Sequence, residues 1–187
     1  MATVEQRATI DDLMRTEGKA ELIKGRIVHF MPTGFRPGIV GANIFMSLRM
    51  YRRAGHPGNA TPDNVGYAVP ELPSGRESFS PDVGYFLGKL PANPMRFIEG
   101  APTFSAEVRS ENDYGRVAEE EMAAKRDDYF QAGTLVVWDV DPIAESITIY
   151  RRDNPTKPLM VRRGEVADAE PAVPGWRIRV DEVFSQE

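Results

Sequence analysis

Apolar and polar positions alternate and recur along the chain in a way that predicts a mixture of short strands and two longer helices. Thr9-Ile10-Asp11-Asp12-Leu13-Met14 opens as a short helix, with Thr9 as N-cap, Asp12 at the reciprocal capping-box position and Gly18 as its end. Residues 20–23 and 26–31 carry strand-like apolar runs, and Lys24-Gly25 between them suits a tight hairpin. From Pro37 to Ala54 the period changes. Ile39, Ile44, Phe45, Leu48 and Tyr51 recur at helical spacing, Pro37 lies near the first turn, and Gly55-His56-Pro57-Gly58 stops the helix.

A strand is predicted through Val65-Gly66-Tyr67-Ala68-Val69, followed by an exposed loop over residues 71–78. Two further strands occupy residues 80–86 and 104–110. The segment between them holds Pro91, Pro94 and Pro102 and is not regular throughout. The clearest helix spans residues 115–132, with Gly133 as its C-terminal cap. Leu135-Val136-Val137-Trp138-Asp139-Val140 is nearly continuous in apolar residues, as a strand covered on both faces should be. Asp141-Pro142 begins a turn, Ile147-Thr148-Ile149-Tyr150 returns as a partner strand, and weaker strands follow at residues 159–162 and 176–180. Neither an internal repeat nor a linker divides the chain. The expected architecture is α/β (α+β), a central mixed β-sheet with flanking helices, in a single domain over residues 1–187 with its core at about 10–184.

Composition changes this picture little but excludes several chemistries. At 187 residues, 41% hydrophobic and 27% charged, the chain is long enough to bury a sizeable core. Cysteine is absent, which rules out disulfides, zinc–thiolate sites and a cysteine nucleophile. His29 and His56 are the two histidines and neither sits in a serine–histidine pattern, and no glycine-rich phosphate loop occurs. The first residues lack the layout of a signal peptide and no apolar run is long enough to span a bilayer, so a cytoplasmic location is expected. The formal charge of −5 argues against nonspecific attraction to nucleic acid, and the arginine groups at 49, 52 and 53, at 151 and 152, and at 162 and 163 read as solvated surface.

Three charges stand where a core is expected. Asp82 opens an apolar run, Glu107 lies inside Phe104-Ser105-Ala106-Glu107-Val108-Arg109-Ser110, and Lys125 shares a helix face with Ala118, Met122 and Tyr129. Such charges are costly unless they pair or hold a metal. Each also has an ordinary explanation: Asp82 as a turn residue beside Pro81, Glu107 on a half-exposed strand beside Arg109, and Lys125 extending its amine to water. Together, a carboxylate on each of two strands and a lysine on the next helix form the elements of a divalent-metal site that cleaves phosphodiesters.

The run from Pro81-Asp82-Val83 through Ala106-Glu107-Val108-Arg109-Ser110 to Lys125, Tyr129 and Ala132-Gly133 resembles the Uma2 family of restriction endonuclease-like proteins. Val137-Trp138 with Val140-Asp141-Pro142, the opening Glu21-Leu22-Ile23, and the closing Pro174-Gly175-Trp176 with Val183-Phe184 extend the resemblance over nearly the whole chain. It implies a PD-(D/E)XK nuclease core, with Asp82 and Glu107 binding Mg2+ or Mn2+ and Lys125 in the role of the motif lysine, moved from strand to helix. It also implies Glu21 as an accessory carboxylate and Tyr129 as a positioning residue. Arg109 stands two positions after the glutamate, where the nuclease motif keeps lysine, and Arg109 and Arg116 are candidate phosphate clamps. DNA is the expected substrate and a homodimer the expected assembly. The competing expectation is a non-catalytic nucleic-acid-binding or assembly module on a degenerate nuclease fold.

Overall fold

The computed structural model describes residues 7–186. In chain order it contains α1 (Ile10–Met14), β1 (Ala20–Ile23), β2 (Arg26–His29), α2 (Phe35–Arg53), β3 (Asn59–Thr61), β4 (Tyr67–Ala68), β5 (Ser78–Phe79), β6 (Val83–Phe86), β7 (Ile98–Glu99) and β8 (Phe104–Val108). There follow α3 (Arg116–Ala132), β9 (Val136–Asp141), β10 (Ser146–Arg151), β11 (Leu159–Arg162), β12 (Val166–Asp168), β13 (Arg177–Arg179) and α4 (Val180–Val183).

Local sequence explains the elements it predicted. Thr9 and Asp12 form the reciprocal capping box of α1. Lys24 and Gly25 both take positive φ, at 54° and 70°, which is the geometry a tight β1–β2 hairpin requires. Gly133 caps α3 in the left-handed region at φ 112°, donating its N–H to Phe130 O. Helix α2 begins two residues earlier than the position of Pro37 suggests, because Gly34 serves as N-cap and Pro37 still falls in the first turn, where its missing N–H costs nothing.

Six strands form the central sheet in the order β11-β10-β9-β8-β6-β3, with β8 and β9 parallel and the other neighbours antiparallel. The parallel pair requires a crossover, which α3 supplies. On one face Phe104, Ala106 and Val108 of β8 join Val40, Ile44 and Leu48 of α2 in the main core. Trp138 and Trp176 stack there with ring centroids 5.2 Å apart, which draws the C-terminal segment onto the sheet. On the other face Tyr129 of α3 stacks on Phe79 at 4.1 Å and packs with Val137. As its composition suggested, β9 is buried along most of its length.

Four short elements carried no prior signal: β3, β7, β12 and the last helix. The strand expected at 176–180 is shorter, because Val180 turns the chain into α4. The loop expected at 71–78 closes into β5 at Ser78, and β7 is the one regular piece between Gly88 and Pro102. No helix among the described residues is long and apolar enough to cross a membrane.

Gly84 on β6 shows how tightly the sheet is packed next to Asp82. A Cβ there would stand 2.6 Å from both Thr61 Oγ1 and Tyr67 OH, which are hydrogen-bonded to each other at 2.8 Å. Gly84→Ala is expected to destabilise the protein by about 1–3 kcal/mol through overpacking. A lower urea midpoint at unchanged slope measures it.

Candidate active site

Asp82 directly precedes β6, whose register with β8 runs Val83↔Ala106 and Gly84↔Ser105. One further step sets Asp82 opposite Glu107, at the same end of two adjacent strands. Asp82 Oδ2 accepts the Val108 N–H at 2.7 Å, which closes this end of the ladder with a side chain. Glu107 points to the α3 face because residues along β8 alternate. Its Oε1 accepts from Tyr129 OH at 2.6 Å and its Oε2 from Lys125 Nζ at 3.0 Å. Lys125 and Tyr129 are four residues apart on one helix face, so a single carboxylate can engage both.

Behind this pair lies Glu21, with no exposed surface. It sits on β1 and gathers three donors: Lys125 Nζ at 3.2 Å, the Ser80 N–H at 2.9 Å and the Arg76 guanidinium. Arg76 in turn pairs with Asp128 at 2.8 Å and lies over the Phe79 ring. In front, Lys19 Nζ contacts Asp82 Oδ1 at 2.6 Å and Asp63 Oδ1 at 2.7 Å.

Burial works against the charge of Glu21, but Lys125, Arg76 and the Ser80 amide outweigh it and hold its carboxyl below the ordinary value. Burial dominates at Glu107 and lifts its pKa, with Lys125 pulling the other way and Asp82 adding repulsion. For both lysines burial favours the neutral amine, yet the neighbouring carboxylates prevail. Glu107 and Glu21 raise Lys125, and Asp82 and Glu107 raise Lys19. Burial sends the Tyr129 hydroxyl well above its usual value, so it remains a proton donor to Glu107.

The donor set suits a hard divalent cation. Asp82 and Glu107 offer oxygen only, and each of their four oxygens already accepts one bond while keeping a further lone pair. Among the described residues no group of three or more His, Asp or Glu gathers as a ready-made cage. A cation held here would have one or two carboxylates and take the rest of its shell from water and phosphate, a mode of binding open to Mg2+. The ion pairs link five carboxylates (Glu21, Asp63, Asp82, Glu107 and Asp128) to three cations (Lys19, Arg76 and Lys125), a formal surplus of two negative charges.

The structure brings Asp82, Glu107, Lys125, Glu21 and Tyr129 together. Tyr129 has no exposed surface and contacts Glu107. Arg109 is committed elsewhere: it grips Asp139 with two bonds of 2.7 Å and also pairs with Glu119, contacts that raise its pKa. Arg116 pairs with Glu120 on the exposed surface of α3. Asp141 accepts the N–H groups of Ile143 and Ala144, so Asp141-Pro142 is the turn its sequence suggested. Lys19, Asp63, Arg76 and Asp128 were not foreseen. Lys19 alone left a trace, being a charge directly before β1 and two positions before Glu21. Beside Asp82 and Asp63 opens a cleft of about 160 Å³, floored by Gly38, Gly41 and Ala42 of α2 and flanked by Phe45.

Comparison with known proteins bears on the family and the fold. The model of the family described as "Uma2: Putative restriction endonuclease" matches residues 4–181. A crystal structure of "a putative nuclease belonging to DUF820" from Anabaena variabilis superposes with a TM-score of 0.69, covering 94% of this chain and 97% of the other at 16% identity. At that identity the likeness establishes the fold. No curated protein matches the chain in sequence.

The Glu21 network generates a pH-dependent expectation. A carboxyl held below its unfolded value of 4.5 contributes stability that is present above that pH and is lost as the pH falls through the folded value. Glu21→Gln leaves Lys125 and Arg76 short of a buried partner and is expected to cost about 3–5 kcal/mol near neutrality. In urea unfolding the difference from wild type should narrow below pH 4.5.

Proposed function

The chain belongs to the Uma2 family of restriction endonuclease-like proteins, and from that premise we propose that it is a Mg2+- or Mn2+-dependent endonuclease that hydrolyses phosphodiester bonds in DNA. The observation that carries this reading is the pair Asp82 and Glu107 at one end of neighbouring strands, each with a lysine on one of its oxygens.

Asp82 and Glu107 would hold the cation, which supplies the Lewis acidity that phosphodiester hydrolysis demands. Tyr129 fixes the orientation of Glu107 through a 2.6 Å bond. Lys125 is kept protonated by Glu107 and Glu21, so its part is to orient the attacking water or to offset charge growing on the phosphate, not to act as a base. Glu21 aims Lys125 from behind. With Arg109 and Arg116 already paired, any contact they make with phosphate requires exchange of those partners. A cytoplasmic location and a homodimer complete the proposal.

Calorimetric titration with Mn2+ tests it. Asp82→Ala and Glu107→Ala are each expected to weaken binding by at least about tenfold. Lys125→Met is expected to keep the metal but to lower cleavage of plasmid DNA by roughly 10²–10³-fold. A wild-type protein that neither binds Mn2+ nor cuts DNA would overturn the proposal in favour of a non-catalytic module.

A further inference from the structure

Lys19 has no part in the chemistry above, yet it makes the closest contact to a proposed metal ligand from any side chain on the Asp82 side of the site. Its ammonium bridges Asp82 Oδ1 at 2.6 Å and Asp63 Oδ1 at 2.7 Å, and its side chain is 19% exposed. Asp63 is on the loop after β3, more exposed than Asp82 at 44% against 20%, and lines the same cleft. An ammonium carries three donors on a flexible stem. Two are used here, and loss of either partner leaves the other in place.

A divalent cation and an ammonium cannot share Asp82 Oδ1 without strong like-charge repulsion. The two therefore compete for one carboxylate, and Asp63 offers the lysine a second berth at the rim of the cleft. We propose that Lys19 is a positioning residue of the metal site, which holds Asp82 while no metal is bound and withdraws to Asp63 when the cation arrives. The inference rests on the reading of Asp82 as a metal ligand. It makes the affinity of the site a difference between two cations competing for the same oxygen, with Asp63 setting the balance. A lysine that merely straps the β1 hairpin to the sheet would affect stability and leave metal affinity alone.

Four full-length variants separate these roles by Mn2+ calorimetry, with thermal unfolding as a check on folding. Lys19→Met removes the competitor and is expected to tighten Mn2+ binding by at least about fivefold, whereas Lys19→Arg keeps the charge and stays within about twofold of wild type. Asp63→Asn removes the berth, confines Lys19 to Asp82 and is expected to weaken Mn2+ binding by about fivefold. Lys19→Met/Asp63→Asn should bind as tightly as Lys19→Met, because without the lysine the berth is irrelevant. Wild type that binds Mn2+ while Lys19→Met binds no tighter overturns the role of Lys19 alone. A double variant that binds as weakly as Asp63→Asn also overturns it, and makes Asp63 a ligand instead. Failure of both wild type and Lys19→Met to bind Mn2+ removes the metal reading itself, and the inference with it.

Discussion

A carboxylate with no contact to solvent must be matched by cations, and Glu21 meets that demand by drawing three separate parts of the chain to one point. The β1–β2 hairpin supplies Glu21, the loop before β5 supplies Arg76, and α3 supplies Lys125, while the Ser80 N–H fixes the approach to β6. Lys125 is held between Glu21 and Glu107, so its direction is set from behind. Apolar residues of similar volume often serve stability as well as or better than a buried ion network. What the charges add is geometry: they fix where one ammonium stands relative to one strand end.

The sheet makes that geometry possible by giving its two faces different duties. Along β8, Phe104, Ala106 and Val108 enter the core with α2, while Glu107 on the opposite face meets Lys125 and Tyr129. A parallel β8–β9 pair must be joined by a crossover, and the crossover helix is the one that carries Lys125 and Tyr129. The residues that build the site are therefore placed by the same connection that closes the fold. Tyr129 illustrates the economy. Its ring stacks on Phe79 and its hydroxyl orients Glu107.

What the sequence disclosed follows the range of the forces involved. The capping box of α1, the Lys24-Gly25 turn, the Gly133 cap and the apolar run of β9 are local, and each appears where its residues indicated. Asp82, Glu107 and Lys125 were legible as charges in apolar surroundings, and the structure pairs each of them. Arg76 and Asp128 left no such mark, because a pair 52 positions apart has no period and each residue alone reads as surface. The strand expected at 176–180 is cut to Arg177–Arg179 and its last residue opens α4, because tertiary packing decides so short a stretch. Arg109 looked like a phosphate ligand by its spacing from Glu107. The sequence could not show that Asp139, buried on the adjacent strand, would occupy its guanidinium.

Charge balance ties the site to the rest of the molecule. A net charge of −5 gives DNA no general attraction to this protein, and the cluster itself holds five carboxylates against three cations. A phosphodiester brought to Asp82 and Glu107 in that state meets like charge at close range. One divalent ion removes the surplus. In the proposed function this sets an order: the cation precedes the phosphate, because until it is in place the site repels the group it would cleave. Lys125 cannot substitute for it, since its ammonium is already spent on Glu107 and Glu21. In that reading each ammonium bridges two carboxylates until then, Lys19 between Asp82 and Asp63 and Lys125 between Glu107 and Glu21, and holds in shape a site whose charge the metal would balance.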